Sequence, residues 1–218
     1  MKIGIFPGSF NPVHLGHLAM ANYLAEFEGY DQIWFLITPQ NPLKKESDLL
    51  DQDFRLALLT EAVSDYEKFI ISTIEWSLPQ PSYTINTLQK LRVAYPNDTF
   101  ELIIGSDNWM TFHRWKDYQV ILKNFKVLIY PRRGSDRITL HHPNVRLCKA
   151  PKIEMSSTVI RDAVAIGKDV RFYMPTGMFK RLVDSGLIPP KPEEKIVEET
   201  NEGTDELTLT LPDIAITE

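Results

Sequence analysis

A chain of 218 residues, 43% of them apolar, has enough material for a buried core and predicts a folded, soluble protein. One cysteine, Cys148, excludes an intramolecular disulfide and a thiolate metal cluster, and fits a reducing compartment. The formal charge of -5 is unevenly spread: residues 190–218 hold nine acids against Lys191 and Lys195, and removing these from the totals of 29 and 24 leaves 20 acids and 22 bases over residues 1–189. So mildly basic a body suits small polyanionic ligands and is too weakly charged to mark a nucleic-acid groove.

The chain opens on a strand-like run, "KIGIF", followed by a helical pattern, "LGHLAMANYLAEF". From Gly4 to Ala25 there is no Asp, Glu, Lys or Arg, yet Pro7, Gly8, Asn11, Pro12 and two histidines argue against a membrane span, because lipid would leave their polar groups unsatisfied. Pro7 and Gly8 also break the apolar start too early for a signal peptide, so a cytoplasmic location is expected. The alternation continues with "IWFLI" then "DFRLALLTEAV", "FIIS" then "SYTINTLQKLRVAY", "FELII", and later "KVLIY". Such βαβ units predict an α/β fold with a doubly wound, Rossmann-like parallel sheet, and the continuous apolar strands imply helices on both faces. Ser82 is expected to cap the third helix, and Ser156 or Ser157 a helix carrying Val159, Ile160, Ala163 and Val164 that stops at Gly167. A last helix is expected from Pro175 to Gly186. Residues 1–189 therefore read as one domain with a C-terminal helical portion, and 190–218 as a mobile acidic tail in which "LTLTLPDIAI" alternates well enough to pair with a sheet edge.

In an open α/β sheet, ligands bind beyond the carboxyl ends of the strands. The unusual segments fall there: "PGSFNPVHLGH" after the first strand, "TPQNPLKK" after the second, and "GSDNWMTFHRW" after "FELII". Gly8 and Gly16 permit close backbone approach, and a helix begun near Leu15 offers free N–H groups to a phosphate. His14 and His17 then become donors able to neutralise charge in a phosphoryl-type transition state. Either histidine alone could be a satisfied polar residue at a helix start; the pair, with the glycines and the strand-turn-helix setting, has no purely structural need.

"GSFNPVHLGH" resembles the HxGH signature of the nucleotidyltransferase superfamily, and "MSSTVIR", residues 155–161, resembles its second signature, ISSTxxR. Three further segments resemble the nicotinate mononucleotide adenylyltransferases: "TPQNPLKK", "PSYTINTL" and "GSDNWMTFHRWKDYQVIL". The resemblance covers residues 1–189. Departures are Pro7 where the family often has glycine, Asn11 where it often has aspartate, and a lysine-loop one residue shorter, with Lys44 in place of histidine. The resemblance implies adenylyl transfer from ATP to nicotinate mononucleotide, giving nicotinate adenine dinucleotide and pyrophosphate. The acceptor's own phosphate attacks, so no side-chain nucleophile is required and catalysis reduces to alignment and charge neutralisation. It implies His14, His17, Lys45 and Arg161 as the catalytic set. Gly8, Ser9, Phe10, Gly16, Lys44, Gly105, Asp107, Arg133, Ser156, Ser157 and Thr158 would contact ATP. Thr84, Trp115 and Lys116 would contact nicotinate mononucleotide. Mg²⁺ is expected as a bridge between ATP phosphates, with no dedicated protein cage. Either Lys44 or Lys45 would meet the phosphates.

Simpler explanations exist for several of these residues. "SST" at a helix start is ordinary capping, and Arg161 one turn on is what favours a phosphate site. "SYT" is read as functional on the family match, which carries Thr84 to the nicotinate carboxylate. Trp109 is expected to pack. His113, His141 and His142 are assigned to surface or loop. Phosphopantetheine adenylyltransferase or a cytidylyltransferase shares the first signature, but those families lack "SYTINTL" and the tryptophan segment. A non-catalytic nucleotide-binding module would tolerate loss of His14, His17 and Arg161, which are intact. A dinucleotide-dependent oxidoreductase would need G-x-G-x-x-G after the first strand, and none is there.

Overall fold

The computed structural model describes residues 1–39, 49–132, 135 and 138–190; the segment with Lys44 and Lys45, Arg133, and 191–218 lie outside the described residues. Six strands, β1 (Lys2–Gly8), β2 (Gln32–Ile37), β3 (Phe69–Ser72), β4 (Thr99–Gly105), β5 (Lys126–Tyr130) and β6 (Val145–Leu147), form one sheet in the order β3-β2-β1-β4-β5-β6. Every neighbouring pair is parallel. The order reverses at β1, which lies between β2 and β4, so the loops leaving β1 and β4 flank the crevice where ligands enter such a sheet.

Strand alternation sends successive side chains to opposite faces, and both faces are apolar. On one face Ile3, Ile5, Leu102 and Ile104 meet α3 (Thr84–Ala94) and α5 (Tyr118–Asn124) through Ile85, Leu88, Leu91 and Ile121. On the other, Phe6, Phe35 and Leu128 share a core with α1 (Leu15–Phe27), α2 (Gln52–Val63), α6 (Ser157–Ala165) and α7 (Met178–Asp184). A short α4 (Ser106–Met110) follows β4 directly. Among the described residues no helix is long and apolar enough to cross a membrane.

The doubly wound parallel sheet matches the sequence reading; several local expectations need correction. Ser82 does not cap α3. The N-cap is Tyr83, without a side-chain cap, because the Ser82 hydroxyl donates instead to the buried Glu75 carboxylate at 3.3 Å. The last helix starts at Met178 rather than Pro175, since Gly177 takes the left-handed conformation (φ +84°) and a turn closes from Met178 N–H to the Pro175 carbonyl. Strand β6 carries no sequence signal, being three residues long with Arg146 at its centre. That arginine is tied to Glu28 and Glu101, towards the amino end of the sheet and away from the crevice.

Candidate active site

The loop after β1 has an unusual start for α1. His14, in extended conformation (φ -148°, ψ 167°), is the N-cap, and its Nδ1 accepts from the His17 backbone N–H at 3.3 Å. His17 returns the bond: its Nδ1 accepts from the His14 N–H, also at 3.3 Å. This is a capping box built from two histidines instead of Ser and Glu. The two rings stack with centroids 3.7 Å apart. With both Nδ1 atoms used as acceptors, each neutral ring must carry its proton on Nε2, so each presents an Nε2–H donor. His14 is 3% exposed, and its pKa is lowered to about 4, first by burial and then by Arg132. It is therefore a neutral donor at neutral pH.

One expectation changes here. The His17 N–H is not left for an anion, because His14 satisfies it; among the described residues the Leu15 and Gly16 amides are the first-turn donors without an acceptor. Gly16 also has a tighter duty than phosphate approach. A Cβ there would lie 3.1 Å from two atoms of the His14 ring and from the Met155 Cβ, so glycine lets the two signature segments touch. A Cβ at Gly8 would lie 2.9 Å from the Phe10 ring. Phe10 is buried, holds a left-handed backbone (φ +43°), and sets its ring edge-on to His17 at 5.1 Å.

The second signature braces this loop. Ser156 caps α6, accepting from the Val159 N–H. The Ser157 hydroxyl donates to the Pro12 carbonyl at 2.8 Å, and Arg161 donates to the Asn11 carbonyl at 2.7 Å and to the Thr158 hydroxyl at 3.5 Å. Ser157 thus spends its hydroxyl on the loop rather than offering it to a ligand. Half-buried Arg161 keeps the rest of its guanidinium fork beside the histidines' loop.

Across the crevice, β4 ends at buried Gly105, where a Cβ would lie 2.3 Å from Asp107 Oδ1 and 2.9 Å from the Arg132 Cδ. Asp107 is ion-paired to Arg132 at 3.2 Å, and the Arg132 N–H donates to the Ser106 hydroxyl at 2.9 Å. Arg132 lines one pocket with Phe6, His14, Gly16, His17 and Met155. Of the two arginines that follow "VLIY", the resemblance allows either one near ATP and the sequence reading takes Arg133, which lies outside the described residues; Arg132 is the one that lines this pocket.

The acceptor-side candidates gather on the other face of the sheet. Thr84 is the first residue of α3, a helix with no side-chain N-cap. Lys116 sits 4.5 Å over the Tyr83 ring, which brings the tryptophan segment against the start of α3. Half-buried Trp115 and Trp109 both pack on Phe112, at centroid distances of 5.1 and 5.2 Å. At the start of α3 Glu75, 3% exposed, accepts from Thr87 at 2.9 Å as well as from Ser82, and burial pushes its pKa up. Arg55 was also missed: it is 1% exposed, and its signal was a cation at helical spacing from Leu58, Leu59 and Val63 on the buried face of α2. Among the described residues, no group of three or more His, Cys, Asp or Glu could hold a metal.

This geometry can be set beside known proteins. The cytidylyltransferase-like family pattern matches residues 5–163. A protein of Azobacteroides pseudotrichonymphae named probable nicotinate-nucleotide adenylyltransferase is 60% identical over 190 residues, 87% of this chain and 100% of that protein. One of the same name from Bacteroides fragilis is 50% identical, covering 84% of this chain and 91% of that protein. In fold, the chain is similar to the Plasmodium falciparum nicotinic acid mononucleotide adenylyltransferase complexed with NaAD. The TM-score is 0.74 at 19% identity, over 86% of this chain and 97% of that one.

Proposed function

The chain belongs to the nicotinate-nucleotide adenylyltransferases within the cytidylyltransferase-like family, and from that premise we infer the reaction and the part each residue plays in it. The enzyme transfers the adenylyl group of ATP to nicotinate mononucleotide, releasing pyrophosphate. An oxygen of the mononucleotide phosphate attacks the α-phosphorus, the bond to the β-phosphate oxygen breaks, and pyrophosphate leaves with that electron pair. The attacking oxygen is already ionised, so the protein's work is alignment and stabilisation of charge as it moves toward the leaving group.

The reciprocal His14–His17 capping box is the observation that carries this reading, since it fixes two Nε2–H donors in one pocket before any ligand arrives. His17, half-buried, would face the reacting phosphate, and His14 would donate as a neutral group beside it. The free amides of Leu15 and Gly16, with Gly8, Ser9 and Phe10 in the same loop, would receive the phosphate chain. Arg161, with Ser156, Ser157 and Thr158 around it, would meet the β- and γ-phosphates, together with Lys45 or Lys44 and Arg133. Asp107 beside Gly105 would grip the ribose hydroxyls. Mg²⁺ would enter with ATP as part of the substrate, held by phosphate oxygens and water. On the acceptor side the uncapped first turn of α3 at Thr84 would take the nicotinate carboxylate, Trp115 would stack on the pyridine ring and Lys116 would add positive charge. Work in the cytoplasm fits a chain whose one cysteine, Cys148, is a buried free thiol.

The test is pyrophosphate release from ATP with three acceptors: nicotinate mononucleotide, its amide and phosphopantetheine. We expect kcat/KM to favour the acid over the amide by about 30- to 1,000-fold, because the amide would set an NH₂ against a donor. Equal use of acid and amide would overturn the specificity, and preference for phosphopantetheine would overturn the family reading.

A further inference from the structure

Arg55 has no place in the mechanism above, yet it is the largest fully buried side chain described. Among the described residues its guanidinium donates only to backbone carbonyls: Ser9 at 2.7 Å, Thr38 at 3.0 Å, Pro39 at 3.2 Å and, through Nε, Leu50 at 3.1 Å. Those carbonyls belong to the loop after β1, the segment leaving β2 and the residues entering α2. Burial of a guanidinium carries a desolvation cost that a leucine or methionine at this helical position would not. A bundle of four directed bonds supplies what an apolar side chain cannot, which is a fixed orientation for each peptide it holds.

The Ser9–Phe10 peptide is trans, so its C=O and N–H point in opposite directions. With the Ser9 carbonyl held on Arg55, the Phe10 N–H points the opposite way, away from the guanidinium. Among the described residues it meets no acceptor. Phe10 reaches that orientation in the left-handed region, which a phenylalanine adopts only when its surroundings impose it. We propose that Arg55 is a positioning residue for adenylyl transfer: by gripping the Ser9 carbonyl it aims the Phe10 N–H at the phosphates of ATP. Asn11 assists, since its Oδ1 accepts from the Leu50 N–H at 2.8 Å and ties the same loop to the entry of α2. The proposal rests on the adenylyltransferase reading.

The test uses the full chain with Arg55→Lys, whose single ammonium cannot span carbonyls from three segments. We expect kcat to fall by about 30-fold or more, with KM for nicotinate mononucleotide within about threefold of the unmutated enzyme. The double variant Arg55→Lys/His17→Ala should lose no more than about a further threefold beyond His17→Ala, because groups serving one transition state are not additive. A folded Arg55→Lys enzyme with kcat within threefold of the original, or losses that multiply in the double variant, would overturn the proposal. If the lysine variant does not fold, amide exchange at Phe10 in the unmutated protein decides. Fast exchange alone and strong protection by α,β-methylene ATP are expected; an amide already protected, or one the analogue leaves unprotected, overturns it. That measurement needs no acceptor, so an enzyme that refuses nicotinate mononucleotide would defeat the functional reading separately.

Discussion

Helices α1 and α3 lie on opposite faces of the sheet, and their N-termini are finished in opposite ways. The α1 terminus is closed by its own side chains: two histidines cap each other's backbone, Phe10 packs on one of them, and Ser157 and Arg161 hold the preceding loop by its carbonyls. The α3 terminus is open, because Tyr83 offers no cap and Ser82 turns to Glu75. The contrast follows the chemistry proposed for each. Charge moves at the ATP side, so donors there gain by being fixed beforehand. The acceptor only has to be chosen, and unpaired amides beside flat aromatic rings choose by what they leave unsatisfied.

The largest effect should come from breaking the closed terminus. His17→Ala removes a donor and the acceptor of the His14 N–H together, and kcat for pyrophosphate release should fall by about 100- to 1,000-fold with the protein still folded. Turnover within threefold of the original would show that the capping box is only architecture. At the open terminus, Thr84→Val should shrink the acid-over-amide ratio by about tenfold through a slower reaction with the acid, leaving the KM for ATP in place. An unchanged ratio would move acceptor recognition away from α3.

A smaller effect sharpens the contrast. Gly16→Ala adds a methyl 3.1 Å from the His14 ring and from Met155, and kcat should drop by about fivefold as the ring is displaced. Full activity in that variant would mean that the ring's position is not critical. The last is a pH effect on stability rather than on rate. His14 titrates at about 4 in the folded protein and at about 6.5 when unfolded. The unfolded chain therefore takes the proton first as pH falls, so the contribution is complete above about pH 6.5 and is lost progressively down to about pH 4. It is on the order of 3 kcal/mol across that window. Tm should fall more steeply from pH 7 to 5 in the unmutated protein than in His14→Gln; identical slopes would contradict the burial argument.

The sheet was legible because strands such as "IWFLI" and "FELII" are apolar on both faces and alternate with helical periods, a pattern few folds share. The segments of the site were legible as motifs. Their internal wiring was not. That Ser82 serves a carboxylate, that Ser157 serves the Pro12 carbonyl and that Gly16 exists for Met155 are facts about residues distant in sequence. Local cap preferences point elsewhere in each case. Arg55 illustrates the same limit: its position on an apolar helix face was visible, but its four carbonyl partners exist only once three loops have met.

The braces on the histidine loop also bear on the order in which the protein becomes an enzyme. Ser157 and Arg161 reach back 145 and 150 residues to Pro12 and Asn11. A chain made only as far as residue 150 already contains all six strands, since β6 ends at Leu147, yet lacks both braces. Contacts of such separation form after local ones, because the intervening chain must first be ordered. The histidine loop in this architecture is therefore fully braced only once the chain's later third docks on it. A nascent or truncated product can own both histidines, and their mutual caps, and still lack the bonds that brace the loop before them.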